Sequence, residues 1–128
     1  MKHISILASG NGTNAENIIR YFSNDKNAKV TLVLSNKPQA NVLERAAVLG
    51  VDAFFFDRRQ FYETGEVLMM LRRRETDLVV LAGFLWLVPE DVIEAFRGRI
   101  VNIHPALLPR FGGRGMYGDR VHRAVLDA

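Results

Sequence analysis

Two side chains two positions apart, Asn102 and His104, carry the chemistry that this sequence offers most directly. They follow an apolar run, Ile100-Val101, that reads as the end of a buried strand. Strand side chains alternate between faces, so residues two apart point the same way. A carboxamide can donate a hydrogen bond to an oxygen that gains negative charge during a reaction. An imidazole can carry a proton near neutral pH. Pro105 and Pro109 then stiffen the exit of the stretch Asn102-Ile103-His104-Pro105-Ala106-Leu107-Leu108-Pro109. Taken alone, His104 reads more simply as a structural histidine at a strand end. The neighbouring motifs turn the reading towards catalysis.

The first of those motifs is Ser9-Gly10-Asn11-Gly12-Thr13-Asn14. It lies between an apolar run, Ile4 to Ala8, and a segment from Ala15 to Phe22 whose Ile18, Ile19 and Phe22 have helical spacing. The pattern is strand, glycine-rich turn, helix. Glycine lets the backbone take positive φ and approach a ligand closely, and free N–H groups at a helix start favour an anion such as phosphate. The stretch has neither the Lys-Ser/Thr of a P-loop nor the G-x-G-x-x-G of a dinucleotide fold. A plain strand-to-helix turn capped by Thr13 or Asn14 is an equally good reading of this stretch by itself. The second motif is Gly83-Phe84-Leu85-Trp86-Leu87-Val88, an apolar loop that follows the most strand-like run of the chain, Asp77 to Ala82.

The elements that must position these groups follow from periodicity and punctuation. Val30 to Ser35 reads as the second strand, and Asn41 to Leu49 as a helix stopped by Gly50. Val51 to Phe56 reads as a third strand, with Phe54, Phe55 and Phe56 as core. Gln60 to Arg74 reads as one helix, interrupted in pattern by Gly65. Asp77 to Ala82 is apolar enough for a central parallel strand covered on both faces. Pro89 opens a helix to Phe96, Gly98 ends it, and Ile100 to Ile103 is the fifth strand. Arg110 to Gly118 carries four glycines and reads as an active-site or lid loop. Asp119 caps a last helix with Val121, Ala124, Val125 and Leu126. Alternating strands and helices predict an α/β fold, a doubly wound, mostly parallel sheet. Such sheets bind ligands beyond the carboxyl ends of their strands. Three loops leave those ends: Ser9–Asn14, Gly83–Val88 and Asn102–Gly118.

Composition narrows the partners. At 128 residues the chain supports one domain, residues 1–128, with a core of its own. Its apolar runs fall short of the roughly 20 residues of a membrane span. The start, Met1-Lys2-His3-Ile4-Ser5-Ile6, enters a strand pattern at once, unlike a signal peptide. The absence of cysteine removes a disulfide framework and a thiolate metal site, and fits a cytoplasmic protein. The net charge of +3 is mild, and aromatic residues do not interleave with Arg72-Arg73-Arg74 or with Arg110, Arg114, Arg120 and Arg123. No nucleic-acid surface is expected from that pattern, and the arginine triplet reads as a solvated helix end. No metal site is expected.

The motifs Ser9-Gly10-Asn11-Gly12-Thr13-Asn14, Ser35-Asn36-Lys37, Leu81-Ala82-Gly83-Phe84 and Asn102-Ile103-His104-Pro105-Ala106-Leu107-Leu108-Pro109 occur in order across nearly the whole chain. Together they resemble the phosphoribosylglycinamide formyltransferases, folate-dependent enzymes of purine synthesis with a Rossmann-like fold. The resemblance implies that Gly12, Thr13 and Asn14 hold the phosphate of glycinamide ribonucleotide. It implies that Leu85, Trp86, Leu87 and Val88 line the folate pocket, and that Asn102 and His104 act on the formyl carbonyl of 10-formyltetrahydrofolate. The partners are then small molecules, and the protein a monomer or homodimer. The family's site also has an aspartate that supports the histidine, in a segment beyond the point where these 128 residues stop. Asp119 and Asp127 do not match that motif. The sequence therefore reads as a formyltransferase domain incomplete at its C-terminal end and without transformylase activity as it stands. Trp86 takes a position where many members carry a basic residue. The rival readings are methionyl-tRNA formyltransferase, formyltetrahydrofolate hydrolase, and a non-catalytic module that binds phosphate or nucleotide.

Overall fold

Alternation of buried side chains shows how the sheet is built. In strand β1, Lys2–Ala8, the residues Ile4, Ile6 and Ala8 enter one hydrophobic cluster while Leu7 enters another. In strand β4, Leu78–Ala82, the residues Leu78, Val80 and Ala82 join the first cluster and Val79 the second. A strand that is apolar at every position has two apolar faces, and only a central strand covered on both sides can bury them. The computed structural model describes residues 1–103 together with Val121 and Val125.

Five strands pair in the order β3-β2-β1-β4-β5, with β2 at Ala28–Ser35, β3 at Asp52–Phe55 and β5 at Ile100–Ile103. Every described pairing is parallel. Register shifts once, between Ile4 and Ser5, where β2 gains Thr31 as an extra residue. Beyond that bulge Ile6 lies beside Val33 and Leu7 beside Leu34, so each pair shares a face. Helices α1, Thr13–Tyr21, and α2, Asn41–Val48, cover the first face through Ala15, Ile18, Ile19, Val42 and Ala46. Val121 and Val125, four residues apart and both helical, are buried in the same cluster. Helices α3, Arg58–Tyr62, α4, Glu66–Arg73, and α5, Glu90–Ala95, cover the second face through Phe61, Val67, Leu71 and Val92. Burying a leucine or phenylalanine side chain of this kind contributes about 1.5–3 kcal/mol. The α/β doubly wound architecture expected from the sequence is the one observed.

Three sequence expectations are corrected. Gln60 to Arg74 is two helices, because Gly65 takes φ 74° and becomes the N-cap of α4. The preceding α3 starts earlier, at Arg58, where Asp57 and Gln60 form a capping box. Phe54 and Phe55 are 44% and 40% exposed, and only Phe56 of the three is core. The reason is topological: among the described strands β3 is at the edge, paired with β2 alone, and Phe54 is covered in part by the Arg74 guanidinium at 5.7 Å. The cap of α1 is Gly12, at φ 86°, and no side chain caps that helix, so neither Thr13 nor Asn14 fills the role. The loop Arg110–Gly118, the Asp119 cap and His104 lie outside the described residues.

Candidate active site

The strand order reverses direction between β1 and β4. The chain leaves β1 towards α1 on one face and leaves β4 towards α5 on the other, so the two loops separate and open a crevice at the carboxyl edge. A cavity of about 120 Å³ lies there, lined by Gly10, Asn11, Gly12, Thr13, Asn14, Ala82 and Gly83. At about 30 Å³ per water, it has room for a few waters or one compact anionic group. Thr13 and Asn14 stand at the start of α1, where the N-cap Gly12 offers no side-chain oxygen to the first N–H groups. These are the three substrate residues expected from the sequence, Gly12, Thr13 and Asn14, brought to one cavity wall. A larger recess of about 480 Å³ lies at the opposite edge of the sheet, beside Met1, Lys2, Lys26, Asn27 and Asp77. It is remote from the strand ends where parallel sheets place their ligands, and none of the motif residues reaches it.

The turn is fastened to the β4 loop and packed against α2. Ser9, 5% exposed, accepts a hydrogen bond at Oγ from the Leu85 N–H at 2.9 Å, which ties the β1 turn to the β4 loop. Gly12 faces α2 so closely that an added Cβ would lie 2.5 Å from Val42 Cβ and 2.6 Å from its Cα. Asn36, at the carboxyl end of β2, is 5% exposed, and neither its amide nitrogen nor its oxygen has a partner among the described residues. Leaving such a buried group unpaired costs about 1–3 kcal/mol.

Asn102 is exposed, and its parallel neighbour across the sheet is Leu81. Ile103 is buried in the first cluster, so alternation puts Asn102 on the second face, with Leu81, Phe84 and Trp86. The expected catalytic amide therefore stands at the carboxyl edge, on the side of the β4 loop. His104 lies outside the described residues. Of the expected folate-pocket residues, Leu85 and Leu87 are 74% and 86% exposed, while Trp86 and Val88 pack inward, half-buried. Trp86 lies 6.0 Å from the rings of Phe56 and Tyr62 and 6.1 Å from Phe61. The Arg58 guanidinium sits 5.0 Å over Trp86 and 4.9 Å over Tyr62. The Tyr62 hydroxyl donates to the Leu87 carbonyl at 2.5 Å and pins the loop. Sequence reasoning missed Arg58 and Tyr62. The D-x-x-Q pattern of Asp57 and Gln60 was the available signal, since a helix starting at Arg58 puts residues 58 and 62 on one face.

No group of three or more His, Cys, Asp or Glu that could hold a metal occurs among the described residues. No described helix is long and apolar enough to cross a membrane. Among ionisable groups near the turn, Glu16 is held below its ordinary carboxylate value, first by its hydrogen bond to Arg45 and then by that to Arg20.

Comparison with known proteins gives a consistent picture. The family profile described as formyl transferase matches residues 2–128. The chain is 38% identical over 133 residues to the chloroplastic phosphoribosylglycinamide formyltransferase of Arabidopsis thaliana, covering 99% of this chain and 46% of that one. It is 34% identical over 130 residues to the phosphoribosylglycinamide formyltransferase of Bacillus subtilis, covering 98% and 67%. Among solved structures it is similar to glycinamide ribonucleotide transformylase 1 from Geobacillus kaustophilus, with TM-score 0.75, 36% identity, and coverage of 97% of this chain and 68% of that one. The corresponding protein of Symbiobacterium toebii matches at TM-score 0.75 and 37% identity, over 88% of this chain and 56% of that one. The chain thus spans about half the length of the Arabidopsis relative and two thirds of the Bacillus one.

Proposed function

We propose a function from one premise: the chain belongs to the formyl transferase family. Its reaction is transfer of the formyl group of 10-formyltetrahydrofolate to the amine of glycinamide ribonucleotide, a step of purine biosynthesis. The observation that carries this reading is the cavity at the β1/β4 switch point, sized for one anionic group and walled by Gly12, Thr13 and Asn14. The ribonucleotide phosphate fits a helix start whose N–H groups are free of a side-chain cap.

The acceptor amine attacks the formyl carbon, a tetrahedral oxyanion forms, and the bond to the folate nitrogen breaks. Asn102 donates its amide N–H to the oxyanion from the carboxyl edge of β5. His104, in the role implied by the family resemblance, takes the proton that the amine loses and returns it to the departing folate nitrogen. The exposed Leu85 and Leu87, on a loop pinned by Tyr62, offer an apolar wall to the folate, and Trp86 supports that wall from behind. The folate is a co-substrate, and no metal takes part. We place this single domain in the cytoplasm as a monomer or homodimer, with small molecules and no nucleic acid as partners.

Calorimetry with glycinamide ribonucleotide and with folic acid tests the binding half of the reading. Formyl-transfer assays with the ribonucleotide, tRNA or water as acceptor test the reaction half. Binding of both ligands is expected, with transfer to the ribonucleotide wherever turnover occurs. Uptake of the ribonucleotide with no response to folate would identify a binding module, and preference for tRNA or water would identify another folate formyl enzyme.

A further inference from the structure

The glycine turn has little of its own to hold it in shape. From it a backbone bond runs into α1, from the Glu16 N–H to the Gly12 carbonyl at 2.8 Å. Gly10 and Gly12 lose more conformational freedom on ordering than other residues do. A turn that must present its N–H groups to an anion therefore needs bracing from outside. Helix α2 supplies it at three consecutive residues. The Val42 N–H reaches the Gly10 carbonyl at 3.4 Å, and Val42 itself abuts Gly12. Between them, the Asn11 side-chain oxygen accepts from Asn41 Nδ2 at 3.0 Å and from Arg45 Nη2 at 3.4 Å. Asn41 and Arg45 are four residues apart, so one face of α2 carries both donors.

Arg45 is itself anchored. Its Nη1 donates to Glu16 Oε1 of α1 at 2.6 Å, and Glu16 also holds Arg20 at 3.0 Å. The guanidinium thus links three parts: α1 through Glu16, α2 through its own backbone, and the turn through Asn11. Its Nε is buried without an acceptor among the described residues, a desolvation cost that the two anchoring bonds must outweigh. Glu16 is held below the ordinary carboxylate value, first by its hydrogen bond to Arg45 and then by that to Arg20. A lysine would keep the charge but could not reproduce the fork, because its donors radiate from one point.

We infer that Arg45, with Asn41, is a positioning pair that sets the glycine turn for its anionic ligand through the side chain of Asn11. Neither residue lines the turn's cavity. They act by fixing the turn's conformation before binding, which reduces the ordering cost of the complex. This rests on the reading of the turn as the ribonucleotide-phosphate site.

The test is calorimetry of the unaltered chain and of Arg45→Ala, Arg45→Lys and Asn41→Ala, each with glycinamide ribonucleotide and with folic acid. Arg45→Ala is expected to weaken ribonucleotide binding on the order of tenfold and to leave folic acid binding within about twofold. Arg45→Lys is expected to be as weak as Arg45→Ala, since charge alone does not position Asn11. Should Arg45→Ala fail to fold by circular dichroism, Asn41→Ala, which removes one bond from an exposed residue, carries the test with a loss of roughly three- to tenfold. Equal weakening of both ligands would mean a general structural role and would overturn the inference. Ribonucleotide affinity within twofold of the unaltered chain, or restoration by Arg45→Lys, would overturn it while leaving the proposed function standing. No ribonucleotide binding by the unaltered chain would overturn the phosphate reading and this inference with it.

Discussion

Replacing Gly12 with alanine separates a glycine required by geometry from one that is merely present. At φ 86° an L-residue meets its own carbonyl, at a cost of about 1–2 kcal/mol. The added Cβ also lands 2.5–2.6 Å from Val42 Cβ, Cα and Cγ2. One of those atoms is backbone at the start of α2, so a rotamer change cannot relieve the overlap. Forced overpacking of this kind costs about 1–3 kcal/mol more. The sum, about 2–5 kcal/mol, is a large share of the 5–15 kcal/mol that a typical domain has in total. At roughly 3–5 °C per kcal/mol for a domain of this size, the melting temperature should fall on the order of 10 °C. Gly10→Ala is the internal control. It lies in the same turn, yet nothing stands within 4 Å of its added Cβ, and its φ is not positive. A change within about 0.5 kcal/mol is expected there. Thermal and urea denaturation of the two variants side by side measure the difference. If Gly12→Ala melts within about 2 °C of Gly10→Ala, an interval well inside the shift worked out above, the packing argument for the turn is wrong.

Further outcomes are open to measurement. Ser9→Ala frees the Leu85 N–H, and because Leu85 is exposed the cost should be at the low end, about 1 kcal/mol. Amide exchange at Leu85 should then rise roughly fivefold, and no change there would show that the two loops are not coupled. In the intact enzyme, Asn102→Ala should lower formyl transfer on the order of 100- to 1,000-fold with ribonucleotide affinity unchanged; turnover within tenfold of that enzyme unaltered would remove Asn102 from the oxyanion role. The lowered pKa of Glu16 means that the unfolded chain binds more protons than the folded one in the acid range. Stability from this group is therefore fully present above the ordinary carboxylate value of 4.5 and is lost as pH falls through the lowered value. The melting deficit of Glu16→Gln should be greatest at neutral pH and shrink towards pH 3, so a deficit constant over that range would contradict the ion-pair account.

The central strands and the strand-to-helix turn were legible in the sequence because their signals are local. Ile4 to Ala8 and Leu78 to Ala82 are apolar at almost every position, and few environments other than a doubly covered parallel strand bury such runs. Glycine, proline and asparagine between them mark where the backbone must turn. The same locality explains the errors. Helical spacing continues through Gln60 to Arg74, but whether Gly65 is tolerated in a helix or ends it depends on what the segment packs against, and here it takes positive φ and starts α4. Phe54 and Phe55 are apolar whether or not a further strand covers them, and the order of the sheet leaves β3 at its edge. At the site, the sequence determined the residue types that can hold an anion or donate to an oxyanion: Gly12, Thr13, Asn14 and Asn102. Only the tertiary structure decided which of them share a cavity, that Asn102 stands on the face of Leu81 and Trp86, and that Arg45, Asn41 and Glu16 hold the turn. The contacts that hold the turn join residues about thirty positions apart, and such distances close only when the sheet order brings separate segments to one edge.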